Sequence, residues 1–309
     1  MIWPLLLCLL AALIAWPFLA ELFRRRMDAG ARQEAGGSFA ELSQGLTHYQ
    51  WIGPLRGPVI VCVHGLTTPC YVWNGLAHGL AGWGYRVLIY DLYGRGYSDR
   101  PRGLQDRAFF LTQLEELLDH EGIGKDITLF GYSMGGAIAT AFAARHPDRI
   151  RRLMLLAPAG MGAKIGALGR TMRDVPVLGD WLALALFPLG HMRDTEAERD
   201  LPTSVHGIVD RQQAELKYRG YVPAVLSSLR GILSDDFEAD HRGFRAQDVP
   251  VIAIWGGDDR VVPLAAMGRL TEWSRHARQE VIEGAGHGLA YTHTDDVLAA
   301  LRGTLTDPD

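Results

Sequence analysis

The chain has 309 residues, 48% of them hydrophobic and 21% charged, with a formal net charge of −4. That balance describes an ordinary globular protein of one large or two modest domains and argues against disorder. Mild acidity, with no basic run outside the N-terminal region, argues against a nucleic-acid partner, which needs a clustered basic face. Three cysteines, Cys8, Cys62 and Cys70, form neither a disulfide framework nor a C-x-x-C zinc pair and fit a reducing compartment.

From Ile2 to Ala20 the sequence is almost purely apolar, long enough at ~1.5 Å per residue to approach the ~30 Å core of a bilayer. Trp3 and Trp16 sit where indoles favour the interface, and Pro17 is placed to kink the helix. Arg24, Arg25 and Arg26 follow the apolar run rather than precede it, the reverse of a secretory signal peptide. Residues 1–23 are therefore expected to form a single-pass anchor with the catalytic part in the cytoplasm by the positive-inside tendency. A hydrophobic helix lying on the membrane or packed on the domain is the alternative. Residues 24–37 read as a basic, Gly-containing linker.

Stretches at Phe39–Leu42 and Leu46–Ile52 suggest an opening pair of strands. Val59–Val63, Arg86–Tyr90, Ile127–Phe130 and Ile150–Leu156 are β-rich runs of the kind buried on both faces. They alternate with helical patterns at Trp73–Trp83, Leu104–His120 and Met134–Arg145. The alternation resumes with strands at Val251–Trp255 and Gln279–Ile282 and helices at Leu264–Ser274 and Thr294–Leu305. The expected fold class is α/β, a mostly parallel eight-stranded sheet with helices on both faces. Residues 38–159 and 250–309 would form the core. Residues 160–249, without strand-like runs but with apolar stretches at Trp181–Leu189 and Tyr221–Leu233, would form a helical cap inserted after the sixth strand.

Gly131-Tyr132-Ser133-Met134-Gly135 matches G-x-S-x-G between a short strand and a small-residue helix. A sharp turn there needs residues without bulk, which Gly131, Gly135 and Gly136 supply, and the N–H groups of a helix beginning at Met134 face a developing oxyanion. A serine hydroxyl needs a base, and the base an orienting acid. His287, on a Gly-flanked loop after the last strand, is the candidate base. Asp258 and Asp259, after the strand ending at Trp255, are the candidate acids.

At Trp255-Gly256-Gly257-Asp258-Asp259-Arg260-Val261-Val262-Pro263 the chain resembles the α/β-hydrolase family, whose W-G-x-x-D-x-x-x-P pattern selects Asp259 and leaves Asp258 as the alternative. The chain order Ser133, Asp259, His287 is also that of this family. Val63-His64-Gly65-Leu66 is similar to its H-G-x element, which implies that the backbone N–H of Leu66 joins that of Met134 in the oxyanion hole. His64 is then expected to shape the loop by hydrogen bonds. Asp91, in Asp91-Leu92-Tyr93-Gly94-Arg95-Gly96-Tyr97-Ser98, is expected to be structural, and Cys70 receives no role.

The resemblance implies a serine hydrolase acting on carboxylic esters through an acyl-enzyme, with no cofactor. No H-E-x-x-H or comparable spacing points to a metal. Apolar cap residues Trp181, Leu184, Phe187 and Leu189, with the N-terminal segment, suggest a lipid-like ester, the alternative being that they only pack the cap, and the layout resembles membrane-anchored monoacylglycerol-lipase-like hydrolases. The partners expected are a small-molecule or lipid ester and a membrane, with oligomeric state undefined. Meta-cleavage C–C bond hydrolases share G-x-S-M-G-G but typically have Asn where Tyr132 stands and Trp where Gly288 stands. Cofactor-free perhydrolases or haloperoxidases share the triad. A non-catalytic binding protein on the same fold is the reading of another class.

Overall fold

The computed structural model describes residues 2–162 and 166–306. Met1 of the expected anchor, residues 163–165 of the expected cap and the last three residues of the expected core lie outside them. The strands are β1 (Ser38–Leu42), β2 (Gly45–Ile52), β3 (Val59–Val63), β4 (Arg86–Tyr90), β5 (Ile127–Tyr132), β6 (Ile150–Leu156), β7 (Val251–Gly256) and β8 (Arg278–Ile282). They form one sheet in the order β1-β2-β4-β3-β5-β6-β7-β8. The β1–β2 and β2–β4 pairings are antiparallel and the other five parallel.

Both faces of the central strands are buried, as their unbroken β-branched runs require. On β3, Val61 and Val63 enter one hydrophobic cluster, while Ile60 and Cys62 enter the other. The helices covering the sheet are α2 (Asn74–Gly82), α3 (Arg107–His120), α4 (Met134–Arg145), α10 (Ala265–Trp273), the short α11 (Leu289–Thr292) and α12 (Thr294–Thr306). The start of α3 is fixed by Asp106, whose carboxylate accepts the Phe109 N–H at 2.9 Å. α4 is buried continuously from Met134 to Ala143, which its alanines and glycines allow.

Between β6 and β7 stands the helical cap: α5 (Ala167–Asp174), α6 (Leu178–Glu196), α7 (Ile208–Ala214), α8 (Tyr221–Arg230) and α9 (Glu238–Gly243). Its own small core gathers Met172 and Ala183 with Tyr221, Val222, Val225 and Leu226. Pro188 lies inside α6.

The N-terminal helix α1 (Ile2–Leu22) is 21 residues of nearly uninterrupted apolar sequence, about 30 Å long. Its side chains are largely exposed: Trp3 is 77%, Leu9 69% and Trp16 67% accessible, whereas Pro17 and Glu21 are buried. It touches the cap, where Trp181 Nε1–H donates to the Ile14 carbonyl at 3.1 Å. The following segment, expected as plain linker, is tied down: Arg25 N–H donates to Lys217 C=O and Arg219 N–H to Arg25 C=O.

Candidate active site

Ser133 sits between β5 and α4 with φ 54° and ψ −120°, a conformation costly for a residue with a Cβ. The surroundings over-determine it. Its N–H donates to Leu156 C=O at 3.0 Å, and its own C=O accepts from Gly136 and Ala159 N–H at 2.8 and 2.9 Å. The turn closes because three neighbours lack side chains. A Cβ at Gly131 would lie 2.4 Å from Gly135 O, one at Gly135 2.0 Å from Val63 O, and one at Gly136 2.6 Å from Pro158 Cβ.

Ser133 Oγ is 3.0 Å from His287 Nε2, and His287 Nδ1 is 2.8 Å from Asp259 Oδ2. The second Asp259 oxygen accepts the N–H groups of Val261 and Val262 at 2.7 and 2.9 Å, so the whole carboxylate is fixed. Its side chain is 0% exposed and that of His287 20%. The backbone separates the two adjacent acids: Asp258 is exposed, and only its N–H is engaged, on Ala285 C=O at 2.9 Å. A serine hydroxyl held against an imidazole, itself held by a buried carboxylate, can transfer its proton as it attacks.

The H-G-x loop is oriented by His64. Leu92 N–H donates to His64 Nε2 at 2.9 Å, so the proton sits on Nδ1, which donates to Gly65 C=O at 2.8 Å. Complete burial lowers the His64 pKa to about 4 and keeps the ring neutral. With the Gly65 carbonyl held, planar trans geometry turns the Leu66 N–H the opposite way. The Leu66 carbonyl is fixed in turn by Arg95 Nε–H at 2.9 Å. Gly65 packs closely on Ser133, since a Cβ there would stand 3.2 Å from Ser133 Cβ. Met134 is the first residue of α4, where an N–H has no partner within its own helix.

Tyr132 was not singled out as a site residue in the sequence. Its hydroxyl donates to the His287 carbonyl at 2.8 Å, its ring lies 5.4 Å from the imidazole, and burial pushes its pKa well up. The signal available was its position beside the nucleophile. Over the site opens a cavity of about 650 Å3. Leu66, Leu229, Leu233, Val261 and Val262 give it apolar wall, and Arg173, Asp235 and Arg260 also line it. None of Trp181, Leu184, Phe187 or Leu189 lines it. Of the two readings of these residues, the structure favours packing over contact with substrate: Trp181 meets α1, Leu184 and Phe187 pack within the cap, and Leu189 is 67% exposed.

Asp91 stands apart from His287. It accepts N–H groups from Cys70 at 2.8 Å and Tyr97 at 2.9 Å, and pairs with His48 at 2.7 Å. His48, Cys70 and Asp91 bring possible ligand atoms within 4.8 Å of one another. Both His48 nitrogens, however, are already engaged within the protein, Nδ1 with Asp91 Oδ2 and Nε2 with Gly36 C=O at 2.6 Å and the Gln50 amide nitrogen at 3.4 Å. Burial pushes the His48 pKa down, but the Asp91 carboxylate outweighs it and the net direction is up. Cys70 is buried, and its thiol is pushed up by that burial.

The profile of the alpha/beta hydrolase fold family matches residues 58–294. A 2-hydroxymuconate semialdehyde hydrolase of Pseudomonas putida is 28% identical over 234 residues, covering 72% of this chain and 78% of that protein. Lipase 1 of Psychrobacter immobilis is 26% identical over 243 residues, covering 76% and 73% respectively. Among solved structures, a bacterial membrane phospholipase A described as a virulence factor superposes with a TM-score of 0.70 at 18% identity, covering 98% of this chain and 96% of the other.

Proposed function

The chain belongs to the α/β-hydrolase fold family, and from that premise we propose that it is a membrane-anchored serine hydrolase cleaving carboxylic esters of apolar acyl groups. One observation carries the proposal: the hydrogen-bonded line Ser133 Oγ, His287, Asp259 lies beneath a cavity with apolar walls. In this reading Ser133 Oγ attacks the ester carbonyl while His287 Nε2 takes its proton, and Asp259 stabilises the imidazolium. The N–H groups of Leu66 and Met134 hold the oxyanion. His287 returns the proton to the departing alcohol, and water then releases the acid by the same steps in reverse.

The anchor is part of the proposal. The exposed apolar length of α1 and the arginines after it support a single membrane pass, and the positive-inside tendency assigns the catalytic part to the cytoplasmic side. Protease attack on that part from outside intact spheroplasts would overturn the assignment. The similarity to a 2-hydroxymuconate semialdehyde hydrolase supports a second reading in which the same triad cleaves a C–C bond. A p-nitrophenyl ester series from acetate to palmitate, run beside 2-hydroxymuconate semialdehyde, separates the two. Ester hydrolysis and fluorophosphonate labelling are expected in wild type and absent in Ser133→Ala. Folded wild type that hydrolyses no ester, or undiminished hydrolysis by Ser133→Ala, would sink the esterase reading.

A further inference from the structure

At the foot of α1 two adjoining cavities form one cleft that shares no lining residue with the cavity over Ser133. The first, about 610 Å3, is lined by Arg26, Arg100, Arg102 and Arg219, with Glu21 as the lone acid. The second, about 430 Å3, is lined by Phe18, Leu104, Leu184, Val222 and Leu226 together with the Asp180–Arg230 ion pair. They meet at Gly103, Pro223 and Ser227.

The charge of the basic part is only partly neutralised by the protein, at Arg100, which Glu215 approaches to 3.7 Å. Among the described residues, no acid lies within ion-pair distance of Arg26, Arg102 or Arg219, whereas Glu21 is already engaged by Gly220 N–H at 2.6 Å and by Arg24 at 3.3 Å. Arg100, nine-tenths buried, is held by the carbonyls of Ser98 and Gly96, yet its Nε–H has no acceptor. A buried donor without an acceptor, beside three guanidinium groups that make no ion pair and of which Arg219 alone feels the Glu21 charge, suits an anion with several oxygens, because guanidinium groups match phosphate in charge and in hydrogen-bond geometry.

The order along α1 gives the rest of the ligand. Phe18 lines the apolar part, and Glu21 and Arg26, farther along the chain, line the basic part. The apolar groove therefore lies towards the membrane-spanning run and the arginines lie where α1 leaves it, at the depth of lipid phosphates. We propose that the cleft binds one anionic phospholipid per chain, its phosphate on Arg102 and Arg219 and an acyl chain in the groove between α1 and α8, as a bound lipid and not a substrate. The proposal rests on the anchored reading above.

The test uses the full chain carrying Ser133→Ala, in detergent, titrated with dioleoyl phosphatidylglycerol or dioleoyl phosphatidylcholine and read by native mass spectrometry. One phosphatidylglycerol per chain is expected, with phosphatidylcholine clearly weaker. Arg102→Gln with Arg219→Gln should weaken phosphatidylglycerol roughly 30-fold, at about one kcal/mol for each arginine removed. Leu104→Asp, at a 52% exposed position of the groove, should weaken it as well. With Ser133 intact, the same substitutions should leave p-nitrophenyl butyrate hydrolysis at the wild-type rate, which shows that the fold survives. Equal binding of the two lipids, or undiminished binding by the double variant, would overturn the proposal. Displacement of the lipid by millimolar inorganic phosphate would reassign the site to free phosphate. Detergent removes any dependence on membrane insertion, and carbonate extraction reads anchoring separately, so the two readings can fail independently.

Discussion

At the residue scale, the two neighbouring acids give the sharpest contrast. Asp259 accepts from His287 Nδ1 and from two backbone N–H groups, and Asp258 makes no such contact. Asp259→Asn would present an amide to Nδ1 and favour the wrong tautomer, so kcat should fall about 10⁴-fold. Asp258→Asn should change kcat by less than about twofold, as for a surface substitution. Reversed effects in an ester assay would show the acid misassigned. Tyr132 acts on His287 through the backbone, by donating to its carbonyl. Tyr132→Phe removes one donor to the His287 carbonyl, a loss of about 1 kcal/mol. If that bond positions the imidazole in the transition state, kcat should drop about fivefold with KM unchanged; a change in melting temperature alone would leave Tyr132 a structural residue. Ser133 and His287 were legible in the sequence because their motifs are short and local. Tyr132 was not, since its partner lies 155 positions away.

At the element scale, the cap is locked to the core at the turn after α7. Glu215, buried there, accepts Gly96 N–H at 3.0 Å and stands 3.7 Å from Arg100. Burial raises its pKa to about 7 and the nearby Asp91 adds to the rise, while Arg100, the Gly96 N–H and Arg95 offset part of it. Unfolded, the group titrates near 4.5. Between those values the folded protein keeps a proton that the unfolded chain has released, so stability falls as pH rises across that interval. Glu215→Gln copies the protonated form and removes the dependence. Melting temperatures of the two proteins should coincide near pH 5, and wild type should fall below the variant by pH 8; a constant difference would refute it. His48, also raised, contributes a loss with rising pH, but equally in both proteins. The sheet strands were legible nearly to the residue, because runs such as Val59–Val63 must be buried on both faces. The cap was legible only as helix-length apolar stretches. An amphipathic helix shows that it has a buried face but not which neighbour covers it, so Trp181 pointed from sequence to substrate and in the structure meets α1.

At the scale of the whole molecule, the question is how far α1 belongs to the folded domain. Its apolar length was plain in the sequence, but its contacts with the cap were not, because Ile14 and Trp181 are 167 positions apart. The contacts gather at its C-terminal end: Glu21 caps the Gly220 N–H, and the Arg25 backbone pairs with Lys217 and Arg219. Deleting residues 1–23 keeps the Arg25 pairing and removes the bonds made by Glu21 and Ile14. At about 1 kcal/mol for each bond, the melting temperature should fall by about 5 °C. The geometry at Ser133 should persist, because β5, β7 and β8 lead into the loops holding Ser133, Asp259 and His287, whereas the bonds made by Ile14 and Glu21 of α1 go to the cap. Hydrolysis of p-nitrophenyl butyrate should thus stay within about twofold of wild type, while the protein moves from the membrane pellet to the supernatant and loses activity on esters held in vesicles. A helix that merely packs on the domain predicts the opposite pairing, in which truncation exposes the cap surface near Trp181, the protein aggregates, and the full-length chain was already soluble without detergent.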